Sequence, residues 1–230
     1  MPQRFFFLHM QKTAGTALWQ RLQEAFPREA LYPGVDDGPM GETTLLTKWV
    51  RAAFERRGDE IAVVAGHFPL CTTELLGGDF TTFTILRDPV DRTLSALRHY
   101  RETTLGEADT PLEEVYADPQ RQWVVHNHMV KMLSLTVDEM DGDLFTAVEF
   151  TPARLERAKA ALQTIDVVGT QDRFEPFCDE LSRRFGWNLG EPRFANRTTP
   201  TPASDSLCEQ IAADQADDIA LYEYARTLAV

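Results

Sequence analysis

The chain is poor in several features that would direct it to a common fate. Its three cysteines, Cys71, Cys178 and Cys208, lie far apart and show neither a CxxC pair nor a Cys/His ligand spacing. They read as reduced structural thiols in a reducing compartment, not as a disulfide framework or a zinc site. The longest apolar run near the N-terminus, Phe5 to Leu8 with Met10, is far short of a membrane span. It also lacks the basic region, long apolar segment and small-residue cleavage site of a secretory signal. The chain is therefore expected to be soluble and cytoplasmic, with no membrane span. Basic residues are scarce, with 23 Lys and Arg against 36 Asp and Glu, a net charge of -13 and a pI of about 4.8. That balance disfavours nucleic acid as a partner, and a long polyanionic substrate unless cations cluster locally. Finally, no glycine precedes Lys12.

What is present suits one domain over residues 1–230. The chain is 43% hydrophobic and 26% charged, ample material for a core. Short apolar runs at Arg4 to Met10, Ile61 to Ala65, Phe80 to Leu86 and Asp166 to Gly169 predict buried strands. Apolar stripes predict helices at Thr16 to Phe26, Thr44 to Arg57, Gln120 to Leu135, Pro152 to Thr164 and Phe174 to Phe185. Asp88 reads as an N-cap with Pro89 at the first helical position, opening a helix to about Arg101. Thr110-Pro111 with Glu113 is a second such start, and helices around Leu207 to Ala213 and Asp217 to Leu228 close the chain. Pro27 to Gly41 and Gly186 to Ser206 read as loops. Recurring strand-loop-helix units predict an α/β fold, P-loop-like, with three α/β/α layers, a mostly parallel central sheet and C-terminal helices. Ligands in such sheets sit at the carboxyl ends of strands. Attention therefore falls on Gln11-Lys12-Thr13, Gly66-His67 and Arg87-Asp88.

The first of these, within "FFFLHMQKTAGTALWQRL", places backbone N–H groups and a helix dipole where an anion would sit. Lys12 adds a mobile charge, Thr13 and Thr16 add hydroxyls, and Gly15 lets the backbone approach closely. A Walker loop, GxxxxGK[ST], does not fit, because Gln11 stands before Lys12. No strand ends in an obvious magnesium-holding aspartate either, so a smaller anionic group gripped without metal fits better. Alone, the loop is equally consistent with an ordinary turn carrying a surface lysine. In the second motif, "TILRDPVDRTLSALRHY", Arg87 ends a strand and Ser95 follows in the next helix, where Arg92, Ser95 and His99 share a face. A guanidinium fork with a hydroxyl suits a second phosphate, and a capped surface helix with scattered charges is the plainer alternative.

Together the two motifs resemble the sulfotransferases that use 3′-phosphoadenosine 5′-phosphosulfate (PAPS). The likeness is to the carbohydrate branch that includes heparan sulfate 2-O-sulfotransferases and bacterial relatives. That branch's first loop reads H-x-P-K-T-G-G-T, matched here by His9 to Thr16, and its second reads L-R-D-P-x-x-R-x-x-S, matched by Leu86 to Ser95. "VVGTQDRFEPFCDEL", "NRTTP" and "DDIALYEYA" resemble later segments of the family. Two positions depart: Gln11 replaces the proline, freeing an N–H, and Ala14 replaces the first glycine, at little cost if its φ is negative.

The resemblance implies that Gln11, Lys12, Thr13, Ala14, Gly15, Thr16 and Ala17 hold the 5′-phosphosulfate. It implies that Arg87 and Ser95 hold the 3′-phosphate, and that Arg197 and Thr198, in a loop shared with Arg193, wrap the nucleotide. Lys12 would stabilise the leaving phosphate, and His67 would be the general base, with the carboxylate of Glu74 as the alternative. PAPS would be the donor, no metal would be needed, and the acceptor would be a hydroxyl of a sugar, glycolipid or small metabolite. A small-molecule kinase and a non-catalytic nucleotide- or glycan-binding relative are the rival classes. Among the remaining histidines, His9 is expected to shape the strand end. His126 and His128, two residues apart, point to different faces and are poor metal ligands. Asn127 and Lys131 either face an acceptor cleft or lie on a solvated helix face.

Overall fold

The computed structural model describes residues 3–105, 109–190 and 203–230. Its centre is strand β1 (Phe5–Leu8), in which all four side chains are buried. Such burial stabilises by about 2 kcal/mol per large apolar side chain. Side chains alternate along a strand, so Phe5 and Phe7 face one side and Phe6 and Leu8 the other. On the first side they meet Leu18 and Leu22 of α1 (Gly15–Ala25) and Phe177 and Leu181 of α9 (Phe174–Phe185). On the second they meet Val50 and Ala53 of α2 (Thr47–Arg57), Met129 and Leu133 of α7 (His128–Ser134), Leu162 of α8 (Pro152–Gln163) and Leu221 of α11 (Ala216–Leu228). A sheet covered on both faces is the predicted three-layer α/β arrangement.

The five-stranded sheet has the order β2-β3-β1-β4-β5, with β2 at Leu31–Tyr32, β3 at Val63–Gly66, β4 at Thr81–Leu86 and β5 at Val167–Thr170. Every pairing is parallel. The two-residue strand β2 lies in the Pro27 to Gly41 segment read as loop; two residues are too few to show a periodicity. Register decides which residues meet at the carboxyl edge. Leu8 pairs with Gly66 on one side and Thr84 on the other, so His9 and His67 leave the sheet side by side. Strand β4 continues two residues past Thr84 before Arg87. Consecutive connections from β1 run to one side of the sheet and the β3-to-β4 connection crosses to the other, making the end of β1 the switch point of the topology.

Helix α4 (Pro89–Tyr100) starts as predicted: the Asp88 carboxylate accepts the Asp91 backbone N–H at 2.9 Å, with Pro89 in the first position. The short helix α3 (Thr72–Leu75) follows β3. A satellite core joins α4 to α5 (Leu112–Ala117) and α10 (Asp205–Asp214) through Leu94, Leu97, Val115, Tyr116 and Ile211.

One expected helix is two. Residues Gln120 to Leu135 divide into α6 (Pro119–Val125) and α7, separated at Asn127, whose φ of 40° is left-handed. The break is built from tertiary polar contacts. The Asn127 N–H donates to Gln215 Oε1 at 2.7 Å, and Asn127 Oδ1 accepts the Asp218 N–H at 2.9 Å. No helix among the described residues is long and apolar enough to cross a membrane.

Candidate active site

Three strand ends converge at the switch point. The loop after β1 is held in an unusual backbone shape: Lys12 has φ 66° and Ala14 φ 70°, both left-handed. For a residue with a Cβ that well costs about 1–2 kcal/mol, so the condition under which Ala14 would replace glycine at little cost, a negative φ, is not met. The shape turns the chain sharply into α1, where the Ala17 and Leu18 N–H groups donate to the Ala14 carbonyl at 3.0 and 3.3 Å. The N–H groups just before them are the helix start's unpaired donors, aligned with its dipole.

Gly15 has a steric reason for its identity. A Cβ there would lie 2.0 Å from the His9 ring. His9 is stacked on Phe7, at 5.0 Å between ring centroids, and Phe7 in turn on Phe83 at 5.2 Å. The His9 ring thus rests on the strand aromatics and forms the floor under α1's first residue. Burial, then the neighbouring His67 and the Lys12 charge, push its pKa well below the ordinary value, so the ring stays neutral.

Thr13 is fully buried and its hydroxyl donates to the Met10 carbonyl at 2.9 Å, closing the loop on itself. Its proton is therefore spent inside the loop. Thr16 is exposed on the first turn of α1. Ala17 is half-buried in the same turn.

Arg87 joins the second motif to the first. Its guanidinium donates to the Lys12 carbonyl at 3.3 Å, and its Nε is buried without a partner among the described residues. A buried, unsatisfied guanidinium N–H beside the loop is an atom that an anionic oxygen would satisfy. Lys12 is half-buried, and burial followed by the Arg87 charge lowers its pKa, with Glu102 pulling the other way. Ser95 is half-buried on α4 and His99 exposed on the same helix, whereas Arg92 is wholly buried. Arg92 donates one N–H to the Val125 carbonyl, tying α4 to α6, while its Nε and Nη1 are buried without a partner among the described residues.

His67 completes the group. Its Nδ1 lies 2.7 Å from the His9 carbonyl oxygen, and the two rings are 4.3 Å apart between centroids. A carbonyl can only accept, so Nδ1 carries the proton and Nε2 keeps its lone pair. Burial depresses the His67 pKa, the bond to the His9 carbonyl raises it, and Lys12 depresses it again; the net shift is downward. A neutral imidazole with a bare Nε2 is the form that takes a proton. Glu74 is exposed on α3.

Other expected positions fall elsewhere. Arg193, Arg197 and Thr198 lie outside the described residues. Asn127 caps α11 and does not face a cleft. Lys131 does line a cavity of about 190 Å³, with Gln122, His126, Thr146, Val148 and Phe150. Burial and then the Arg92 charge bring its pKa down to about 8. Two residues to which the motifs assign no role touch the loop: His128, and Tyr100 at the end of the second quoted stretch, both bond to Gln11. Only the fold brings them there, across separations of 117 and 89 residues.

No protein-family model and no curated protein matches the sequence. Among solved structures the chain is similar to a sulfotransferase from Alicyclobacillus acidocaldarius, with a TM-score of 0.52 and 18% sequence identity. The likeness covers 100% of this chain and 98% of that one, and it establishes the fold.

Proposed function

We propose that the chain transfers a sulfuryl group from PAPS to a hydroxyl acceptor. The observation that carries this reading is the junction of Arg87 with the Lys12 loop: two basic strand ends, in a protein of net charge -13, meet at one switch point. The similarity of fold to a bacterial sulfotransferase supports the same reading, as do the two sequence motifs.

In this reading the donor supplies an activated sulfuryl group on a good leaving phosphate. The loop Gln11 to Ala17 holds its 5′ end. Gln11 and Ala17, whose N–H groups bond within the protein, fix the two flanks. Lys12 to Thr16 present the backbone N–H groups between them with the exposed Thr16 beside, and the Lys12 ammonium lies near the bridging oxygen. Arg87 and Ser95 hold the 3′-phosphate, and Arg197 and Thr198 complete the nucleotide site. His67 takes the acceptor's hydroxyl proton at Nε2, while its Nδ1–H remains on the His9 carbonyl. The hydroxyl oxygen forms its bond to sulfur as the bond from sulfur to the bridging oxygen breaks, and Lys12 stabilises the charge left on phosphate. Most of the acceleration then comes from positioning and fixed charge, as in phosphoryl transfer. The acceptor is a sugar, glycolipid or small metabolite, and the protein's acidity favours a neutral one.

Calorimetry with adenosine 3′,5′-bisphosphate in EDTA, beside ATP with magnesium, tests the reading. Binding of the bisphosphate alone is expected, followed by turnover of radiolabelled PAPS with a panel of hydroxyl acceptors. Binding of ATP alone would assign the site to a kinase, and bisphosphate binding without turnover on any acceptor would assign it to a binding protein.

A further inference from the structure

Lys12 and Arg87 are held by contacts that the motifs anticipate; Gln11 is not. Its backbone N–H donates to His128 Nε2 at 3.4 Å, and its side-chain Oε1 accepts the Tyr100 hydroxyl at 3.3 Å. His128 is wholly buried at the first position of α7, and Tyr100 is half-buried at the last position of α4. The residue ahead of Lys12 is thereby tied, at two different groups, to two helices of separate parts of the chain.

The imidazole must be in one particular form for this. Nε2 accepts only when bare, which places the ring proton on Nδ1. Burial, then the Arg92 and Lys131 charges and the nearby His67 and His9, push the His128 pKa well below the ordinary value and keep the ring neutral. The bond from Gln11 sets the tautomer, and Nδ1 is buried with no partner among the described residues.

We infer that His128 and Tyr100 are positioning residues: they brace Gln11 and so keep the Lys12 backbone in its left-handed shape during sulfuryl transfer. The inference rests on the function proposed above. A residue other than glycine stays at φ 66° only where its flanks over-determine it. On the far side, Arg87 holds the Lys12 carbonyl and Thr13 ties back to Met10. On the near side the Gln11 brace does this work. Without it, the Gln11–Lys12 peptide can rotate, Lys12 can relax to negative φ, and the ammonium swings away from the bridging oxygen. The acceptor's own contacts are untouched.

The test uses the full chain and pairs NMR amide exchange at Gln11 with steady-state kinetics. His128→Phe keeps a ring and removes the acceptor nitrogen. It is expected to speed Gln11 exchange about tenfold and lower kcat about tenfold, the range of one hydrogen bond, with acceptor KM unchanged. His128→Gln, whose side-chain oxygen can accept the same N–H, is expected to restore both. Should His128→Phe fail to fold, Tyr100→Phe removes a single hydroxyl and is expected to speed exchange and lower kcat in the same direction. Unchanged Gln11 exchange in a folded His128→Phe or Tyr100→Phe variant would overturn the inference. So would a kcat loss that His128→Gln does not repair. Exchange needs no donor, so an absence of turnover in the unaltered protein would count against the proposed function while the exchange data still judged the brace.

Discussion

The Arg87 guanidinium donates to the backbone carbonyl of Lys12, 3.3 Å away, so one cation of the site holds the other by its main chain. The bond forces two like charges together, and the Arg87 charge is the second cause, after burial, of the lowered Lys12 pKa. The dianion of the proposed function would relieve that repulsion on binding. The two residues should separate kinetically. Under the proposed function, Lys12→Ala would remove a donor aimed at charge that develops on the leaving phosphate, and should lower kcat by about 10²–10³. Under the same proposal, Arg87→Ala would remove charge-assisted bonds to the 3′-phosphate made equally in ground and transition states, and should raise the PAPS KM by about 10–100-fold. Initial rates with radiolabelled donor distinguish the two, and an unaltered donor KM in Arg87→Ala would remove that residue from the 3′-phosphate site.

The loop carries backbone strain that a single substitution can release. Ala14 sits at φ 70°, where glycine pays no steric penalty. Ala14→Gly should stabilise the fold by about 0.5–1 kcal/mol net of glycine's extra unfolded-state entropy. The next position behaves in the opposite sense. Gly15→Ala drives a Cβ to 2.0 Å from the His9 ring, which is itself packed on Phe7, so this variant should be destabilised and lose nucleotide binding. Urea denaturation of both variants checks the pair; a less stable Ala14→Gly would mean that the left-handed shape is not strained.

Much of this was legible because it is local. The apolar runs of Phe5 to Leu8 and Phe80 to Leu86, the Asp88-Pro89 cap and the basic residues at both strand ends are all written within a few neighbouring positions. What stayed hidden is set by register and tertiary contact. The two-residue strand β2 has no period to detect. His128 looked like a poor metal ligand on an ordinary helix, and only the packing of α7 brings its ring to Gln11. The split at Asn127 was invisible for the same reason: helical spacing runs across it, and its capping partners lie 88 and 91 residues away.

That split is a reciprocal cap. While Asn127 Oδ1 accepts the Asp218 N–H, the Asp218 carboxylate accepts the N–H groups of Met129 and Val130 at 3.1 and 2.8 Å. Each residue satisfies the start of the other's helix. Asp218→Ala leaves two buried donors unpaired and should cost about 3 kcal/mol. Asn127→Ala loses a cap and also places an ordinary residue at φ 40°, for about 2 kcal/mol, whereas Asn127→Gly, free of the steric term, should cost less. Because the two side chains share one network, the double variant should cost clearly less than the sum of the single ones. Simple additivity in denaturant titrations would show that the two caps act independently.

If His67 is the base, as proposed, the pH dependence of turnover follows from its form. Its Nδ1–H is held by the His9 carbonyl, and its pKa is displaced downward, chiefly by burial. A base works only when unprotonated, so kcat/KM should rise with pH through an inflection below the ordinary value of 6.5 and be level at neutral pH. His9 is held neutral still more strongly and adds no second inflection in that window. His67→Gln should lower kcat by about 10²–10³ and abolish the acidic limb. Glu74→Gln, altering an exposed carboxylate on α3, should leave the limb in place. If instead the limb survives in His67→Gln and disappears in Glu74→Gln, the proton goes to the carboxylate, and His67 serves only to pack against His9.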